Sequence, residues 1–176
     1  MVVLGLDAST TTVGYAFTEN DIILDMGFID ITKQTTLKDK AFCVLDTIED
    51  NKHSDNVDQV VIEDSLSGFA GGHTSTQTII KLAKFNAVLC FVLEWHYDTE
   101  VVSVNPNTAR KKVFGKARIK GKSAKQFVKE RIEQHYNVKP FVVINKRGNP
   151  DRRNIDAYDA LVCATFLQKN VVSSSQ

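Results

Sequence analysis

Proline and cysteine are scarce in this chain of 176 residues, with three of each. So little proline, with an apolar fraction of 43%, excludes a disordered or polyproline chain. Cys43, Cys90 and Cys163 are odd in number, far apart and set in apolar helical stretches. No C-x-x-C spacing occurs, so neither a disulfide framework nor a thiolate zinc site is supported, and buried reduced thiols are expected. The four histidines, His53, His73, His96 and His135, also lack ligand spacing. The most apolar stretch, Phe85 to Leu93, is too short for a membrane span and lies close to Lys81 and Lys84, so no membrane partner is expected. No basic-then-apolar leader comes before the first strand-like run, which makes a cytoplasmic setting the expectation. What remains is the length of one ordinary domain, placed at residues 1–170, with a frayed tail at 171–176.

Net charge is also nearly lacking: 22 Lys and Arg stand against 21 Asp and Glu. The halves are not neutral. Residues 1–100 carry 6 basic and 16 acidic side chains, and residues 101–176 carry 16 basic and 5 acidic ones. The densest basic run holds Arg110, Lys111, Lys112, Lys116, Arg118, Lys120, Lys122, Lys125, Lys129 and Arg131, opposed by Glu130 and Glu133 alone. Such asymmetry points to a polyanion on one face.

Four carboxylates give that face a chemistry. Asp7 ends the apolar run Val2-Val3-Leu4-Gly5-Leu6, Glu63 ends Val60-Val61-Ile62, and Asp156 and Asp159 lie three apart on a helical stripe. Strand ends and one helical turn can bring these acids together. A buried cluster of like charges is costly unless a cation neutralises it, and ligands that are all oxygen suit Mg²⁺ or Mn²⁺ better than zinc. A hard-metal site beside a basic face reads as phosphodiester chemistry.

The order of elements supports a mixed sheet. Strand-like runs cover Val2 to Asp7, Thr12 to Thr18 and Ile22 to Ile31, the first two joined by the small-residue turn Ala8-Ser9-Thr10-Thr11. Helical spacing follows in Leu37, Ala41, Val44, Leu45 and Ile48, then a buried strand from Val57 to Glu63. Beyond the Gly-rich loop 65–72, the pattern predicts a long helix over Ser75 to Tyr97, a strand at Glu100 to Val104 and a short helix opened by Asn105-Pro106. Helices over Ser123 to Tyr136 and Asn154 to Gln168 complete the chain. The fold class is α/β: a five-stranded sheet, three antiparallel strands and then parallel ones, flanked by helices. The segment Phe85 to Leu93 is apolar nearly all round, so it is either covered on every side or part of a subunit interface.

Taken together these features resemble the ribonuclease H-like nucleases, and within them the RuvC family of Holliday junction resolvases, as in a phage-encoded relative. The opening motif is matched by Gly5-Leu6-Asp7-Ala8-Ser9-Thr10-Thr11-Thr12-Val13-Gly14-Tyr15, the second acid by Ile62-Glu63, and the closing pair by Asp156-Ala157-Tyr158-Asp159-Ala160-Leu161. A family Lys-Ser pair, whose lysine approaches the scissile phosphate, is similar to Lys122-Ser123. The resemblance implies that Asp7, Glu63, Asp156 and Asp159 hold two Mg²⁺ ions, with Mn²⁺ as a substitute, roughly 4 Å apart for hydrolysis without a covalent intermediate. Lys122 would offset charge in the transition state. It further implies a homodimer, branched DNA as partner (four-way junctions, forks and three-way branches) and no nucleotide cofactor. Arg110, Lys111, Lys112, Lys116, Arg118, Lys120, Lys125, Arg152 and Arg153 are the expected DNA contacts, with Phe69 the candidate for the aromatic that the family inserts at the junction centre.

Two segments depart from the bacterial pattern. The loop after Glu63 is longer and richer in glycine, and the basic segment Lys146 to Arg153, whose Pro150-Asp151-Arg152-Arg153 resembles the poxvirus resolvases, is longer too. Both favour recognition of shape over base sequence. Two rival readings exist. One is a module that binds branched DNA without cutting, against which the retention of all four acids argues. The other is an actin-like ATPase fragment, suggested by Asp7-Ala8-Ser9-Thr10-Thr11-Thr12, for which the chain is too short.

Overall fold

In the computed structural model residues 1–64 and 75–172 are described, with side chains up to residue 168. Loop 65–72, with Phe69, and His73 lie outside the described residues.

Largely apolar runs make β1 (Val2–Ala8), β2 (Thr12–Glu19), β3 (Ile22–Asp30), β4 (Val57–Glu63) and β5 (Val101–Val104) into one sheet of order β3-β2-β1-β4-β5. The β1–β2 and β2–β3 pairs are antiparallel, and β1–β4 and β4–β5 are parallel. Because side chains alternate along a strand, each strand feeds two cores. Leu4, Leu6, Val13, Phe17, Val60 and Ile62 pack under α1 (Leu37–Glu49) and α2 (Thr76–Tyr97). Val3, Ala16 and Val61 pack under α3 (Pro106–Phe114), α4 (Ala124–His135) and α5 (Asn154–Val172).

Helix α5 lies unusually close to the sheet. A Cβ placed on Gly5 would fall 2.2 Å from the Ala160 carbonyl oxygen, and one on Gly14 would fall 2.1 Å from that of Asp156. On the helix side, Ala157, Ala160 and Ala164 are buried small residues at helical spacing. Absent side chains on both surfaces allow backbone to touch backbone. That approach brings the acids of α5 down to β1.

Helix α2 is long and apolar enough, by length and composition alone, to cross a membrane. It instead buries Phe85, Leu89, Val92 and Leu93 in the α1 core. Ile80, Phe91 and Trp95 remain exposed, Trp95 at 73%, so the helix is covered on one side only. The expectation of buried thiols holds for Cys163; Cys43 and Cys90 are half-buried.

Candidate active site

The β-strand period places the first two acids. With Leu4, Leu6 and Ile62 facing α1 and α2, Asp7 and Glu63 must face α5. The parallel register pairs Leu6 with Ile62, so Asp7 and Glu63 are neighbours at the carboxyl ends of adjacent strands. Asp156 occupies the first turn of α5, where the helix dipole favours a carboxylate, and Asp159 follows one turn later.

Burial and neighbouring charge act on Asp7, Glu63 and Asp159. Burial, then the charges of Glu63, Asp159 and Asp156, hold the Asp7 carboxyl well above the usual range. Burial and Asp159 push Glu63 up to about 7, against the opposing pull of Arg110 and Lys125. Burial raises Asp159 as well, with Arg110 opposing. Beneath them Cys163 is held protonated, mainly by burial.

Two protein cations answer this charge. Arg110 donates from Nη2 to Asp159 Oδ1 at 3.1 Å and lies 3.8 Å from Glu63 Oε2. Its side chain is 9% exposed. Arg110 was expected among the DNA contacts; it turns inward instead, because Pro106, Ala109, Arg110 and Val113 form the buried stripe of α3. That i, i+3, i+4, i+7 spacing was the sequence signal for it. Lys125 Nζ lies 3.4 Å from Asp156 Oδ1 and is largely exposed.

Lys122 pairs with Glu130 two turns along α4. Lys112 is half-buried, its ammonium 4.1 Å from the centre of the Phe166 ring. Arg153 is also engaged: it donates to Asp151 and Asp30 at 2.8–3.0 Å and stacks on Phe28. Lys111, Lys116, Arg118, Lys120 and Arg152 are exposed.

The turn that follows Asp7 is fixed by Ser9, within the small-residue turn itself, and by Lys40, to which the sequence pattern assigned no role. Ser9 Oγ accepts from the Thr12 amide at 3.0 Å and donates to the Thr12 carbonyl at 2.8 Å. Lys40 of α1, 6% exposed, donates from Nζ to the carbonyls of Thr10 at 2.5 Å and Ile31 at 3.1 Å. It opens the buried stripe of α1, which is the signal that would have found it.

Among the described residues no three His, Cys, Asp or Glu side chains are drawn together closely enough to cage an ion. The carboxylates turn instead to Arg110 and Lys125. The donor set still suits a hard divalent cation: it is all oxygen, recessed, and composed of carboxylates that one another's charge destabilises. A cleft of about 1030 Å³, lined by Ser9, Thr11, Lys125, Arg152 and Asp156 among others, opens at Asp156, the one acid of the four that lines it.

A sheet of this order, with helices on both faces, defines the ribonuclease H-like fold. The solved structures that share it include Thermus thermophilus RuvC, at 15% identity and TM-score 0.68 over 99% of this chain and 98% of that one. The same enzyme in complex with a Holliday junction substrate matches at 12% identity and TM-score 0.64, over 99% and 97% of the two chains. The yeast mitochondrial Holliday junction resolvase Ydc2 matches at 18% identity and TM-score 0.60, over 95% and 77%. By sequence, no family model and no curated protein matches.

Proposed function

We propose that this chain is a metal-dependent, structure-selective endodeoxyribonuclease that resolves four-way DNA junctions and cuts related forks and three-way branches. One observation carries the reading: Asp7, Glu63, Asp156 and Asp159 face one another from β1, β4 and α5, on a fold whose solved neighbours include two Holliday junction resolvases. A protein that only gripped DNA would gain nothing from a recessed cluster of anions, which repels phosphate.

Asp7, Glu63, Asp156 and Asp159 would hold two Mg²⁺ ions, or Mn²⁺ in their place. Bound there, the ions would supply an activated water and stabilise charge on the leaving 3′ oxygen. Asp7 is the central ligand in this reading, since the charges of all three other acids bear on it. Arg110 holds Asp159 and Glu63 in place and offsets part of their charge. Exposed Lys111, Lys116, Arg118 and Lys120, on α3 and the loop that follows, would bind phosphates along the arms.

Two symmetric cuts need two matched sites, which a two-fold dimer supplies. The stripe of Ile80, Phe91 and Trp95 on α2 is the surface for a second copy of this chain.

The test is a gel assay on branched DNAs with Mg²⁺, for the wild type and Asp7→Asn. The wild type should cut, and Asp7→Asn should bind junctions but not cut them. Equal cutting by the two proteins would refute the assignment.

A further inference from the structure

We propose that Lys125, rather than Lys122, is the cation that the protein presents to the scissile phosphate, resting on Asp156 until the acids are neutralised. This rests on the nuclease reading above and deepens it.

The two lysines differ in where they are held. Lys122 lies just before α4 and its ammonium is taken by Glu130, an exposed residue of the same helix. Lys125 lies one turn further, in the first turn of α4, and reaches across to the first turn of α5. Its position is set by the cap at Ser123, which accepts from the Gln126 amide while Gln126 Oε1 accepts from the Ser123 amide. A lysine in a first turn opposes the helix dipole, so local stability does not account for it. Contact with an acid of the site does. The charge of Lys125 is also felt at Asp7, Glu63 and Asp159.

The pair with Asp156 is loose. The distance is 3.4 Å and the lysine side chain is 66% exposed, conditions under which an ion pair is weak. Arg110, by contrast, is buried and held by two acids. A divalent ion on Asp156 would make the Lys125 contact redundant, which frees an ammonium already on the wall of the cleft that Asp156 also lines. Arg153, on the same wall, is tied to Asp151 and Asp30. In the hydrolysis a water oxygen bonds to phosphorus and the bond from phosphorus to the 3′ oxygen breaks. The protons of that water end on the 3′ hydroxyl and in solvent, which leaves a 5′ phosphate. Lys125 keeps its own proton and donates a hydrogen bond to a non-bridging oxygen, where negative charge grows.

The experiment compares the wild type, Asp7→Asn, Lys122→Ala and Lys125→Ala in single-turnover cutting of a four-way junction at saturating protein and Mg²⁺. Mn²⁺ binding to each DNA-free protein is followed by paramagnetic resonance. Loss of a donor aimed at developing charge should slow Lys125→Ala by about 10²–10³-fold. Its junction Kd should stay within about threefold of the wild type, as for a group that acts in the transition state. Mn²⁺ should bind Lys125→Ala more tightly, because a competing cation is gone, so affinity for metal and rate move in opposite directions. Lys122→Ala should cut within about tenfold of the wild type. The inference is overturned if Lys122→Ala loses as much as Lys125→Ala, if excess Mg²⁺ restores Lys125→Ala, or if Lys125→Ala only weakens junction binding. No cutting by the wild type would sink the nuclease reading itself. Cutting abolished by Asp7→Asn but intact in Lys125→Ala would sink this inference alone.

Discussion

Adding one methyl group at Gly14 should separate the two halves of the site. Gly14 pairs with Asp7 in the β1–β2 register and points at the start of α5. The alanine Cβ would lie 2.1 Å from the carbonyl oxygen of Asp156, 2.2 Å from its carbonyl carbon and 2.7 Å from the Ala157 nitrogen. Ordinary contact begins near 3.5 Å, so the first turn of α5 must retreat by a little over 1 Å. The obstacle is backbone, which cannot rotate away as a side chain can. Overpacking of this kind costs about 3 kcal/mol, at the upper end of the usual range. For a chain of this size that lowers Tm by roughly 6–12 °C. The same retreat carries Asp156 and Asp159 away from Asp7, and a misplacement of about 1 Å at a reacting centre costs about 10²-fold in rate. Gly27→Ala is the control. Its Cβ would meet the Tyr15 ring, nearest at the hydroxyl at 2.9 Å, and a side-chain end can yield. It should cost about 1 kcal/mol and leave cutting intact. Thermal melts and single-turnover cutting of the two variants decide the matter. If Gly14→Ala melts within about 2 °C of the wild type and cuts as fast, the close approach of α5 does not build the site.

Three further outcomes follow from the charges and surfaces. The unfolded chain ionises Glu63 near 4.5 and the folded, metal-free protein only near 7, so the folded state holds the extra proton between these values. Metal-free stability should therefore fall as pH rises from about 4.5 to 7, and Mg²⁺ should raise Tm far more at pH 8 than at pH 5; a flat melting profile would refute it. Trp95→Glu should leave the fold intact and shift light scattering at micromolar protein from dimer to monomer, whereas a wild type that is monomeric even with junction DNA bound would dispose of the α2 interface. Lys111→Ala or Lys120→Ala should weaken binding to any branched DNA and make the log-log salt slope shallower by about one unit, and an unaltered slope would mean that this run faces away from DNA.

What could be read in the sequence, and what could not, divides along one physical line. Strands β1 to β5 and helices α1 to α5 were legible because burial leaves short apolar runs and helical stripes between turn signals, and these survive without coordinates. The acids were legible because each closes an apolar run or sits on a helical stripe. The depth of α5 was not, since it depends on Gly5 and Gly14 meeting Ala157, Ala160 and Ala164 across the fold, and no local pattern records such a meeting. Arg110 was misjudged for the opposite reason: charge alone was taken to mean surface. Arg110 and Lys40 each lie on the buried stripe of their helix, and there position outweighs residue type. Their burial also has a thermodynamic purpose. Four acids brought together without a counter-charge would oppose the packing of α5 on β1, and a buried unpaired charge is among the costliest defects a core can hold. Arg110 between Glu63 and Asp159 removes the worst of that cost from within the protein. On the proposed reading folding and metal binding are thus separate events: the protein's own cations assemble the site, and the less firmly held of the two is the one a metal would displace.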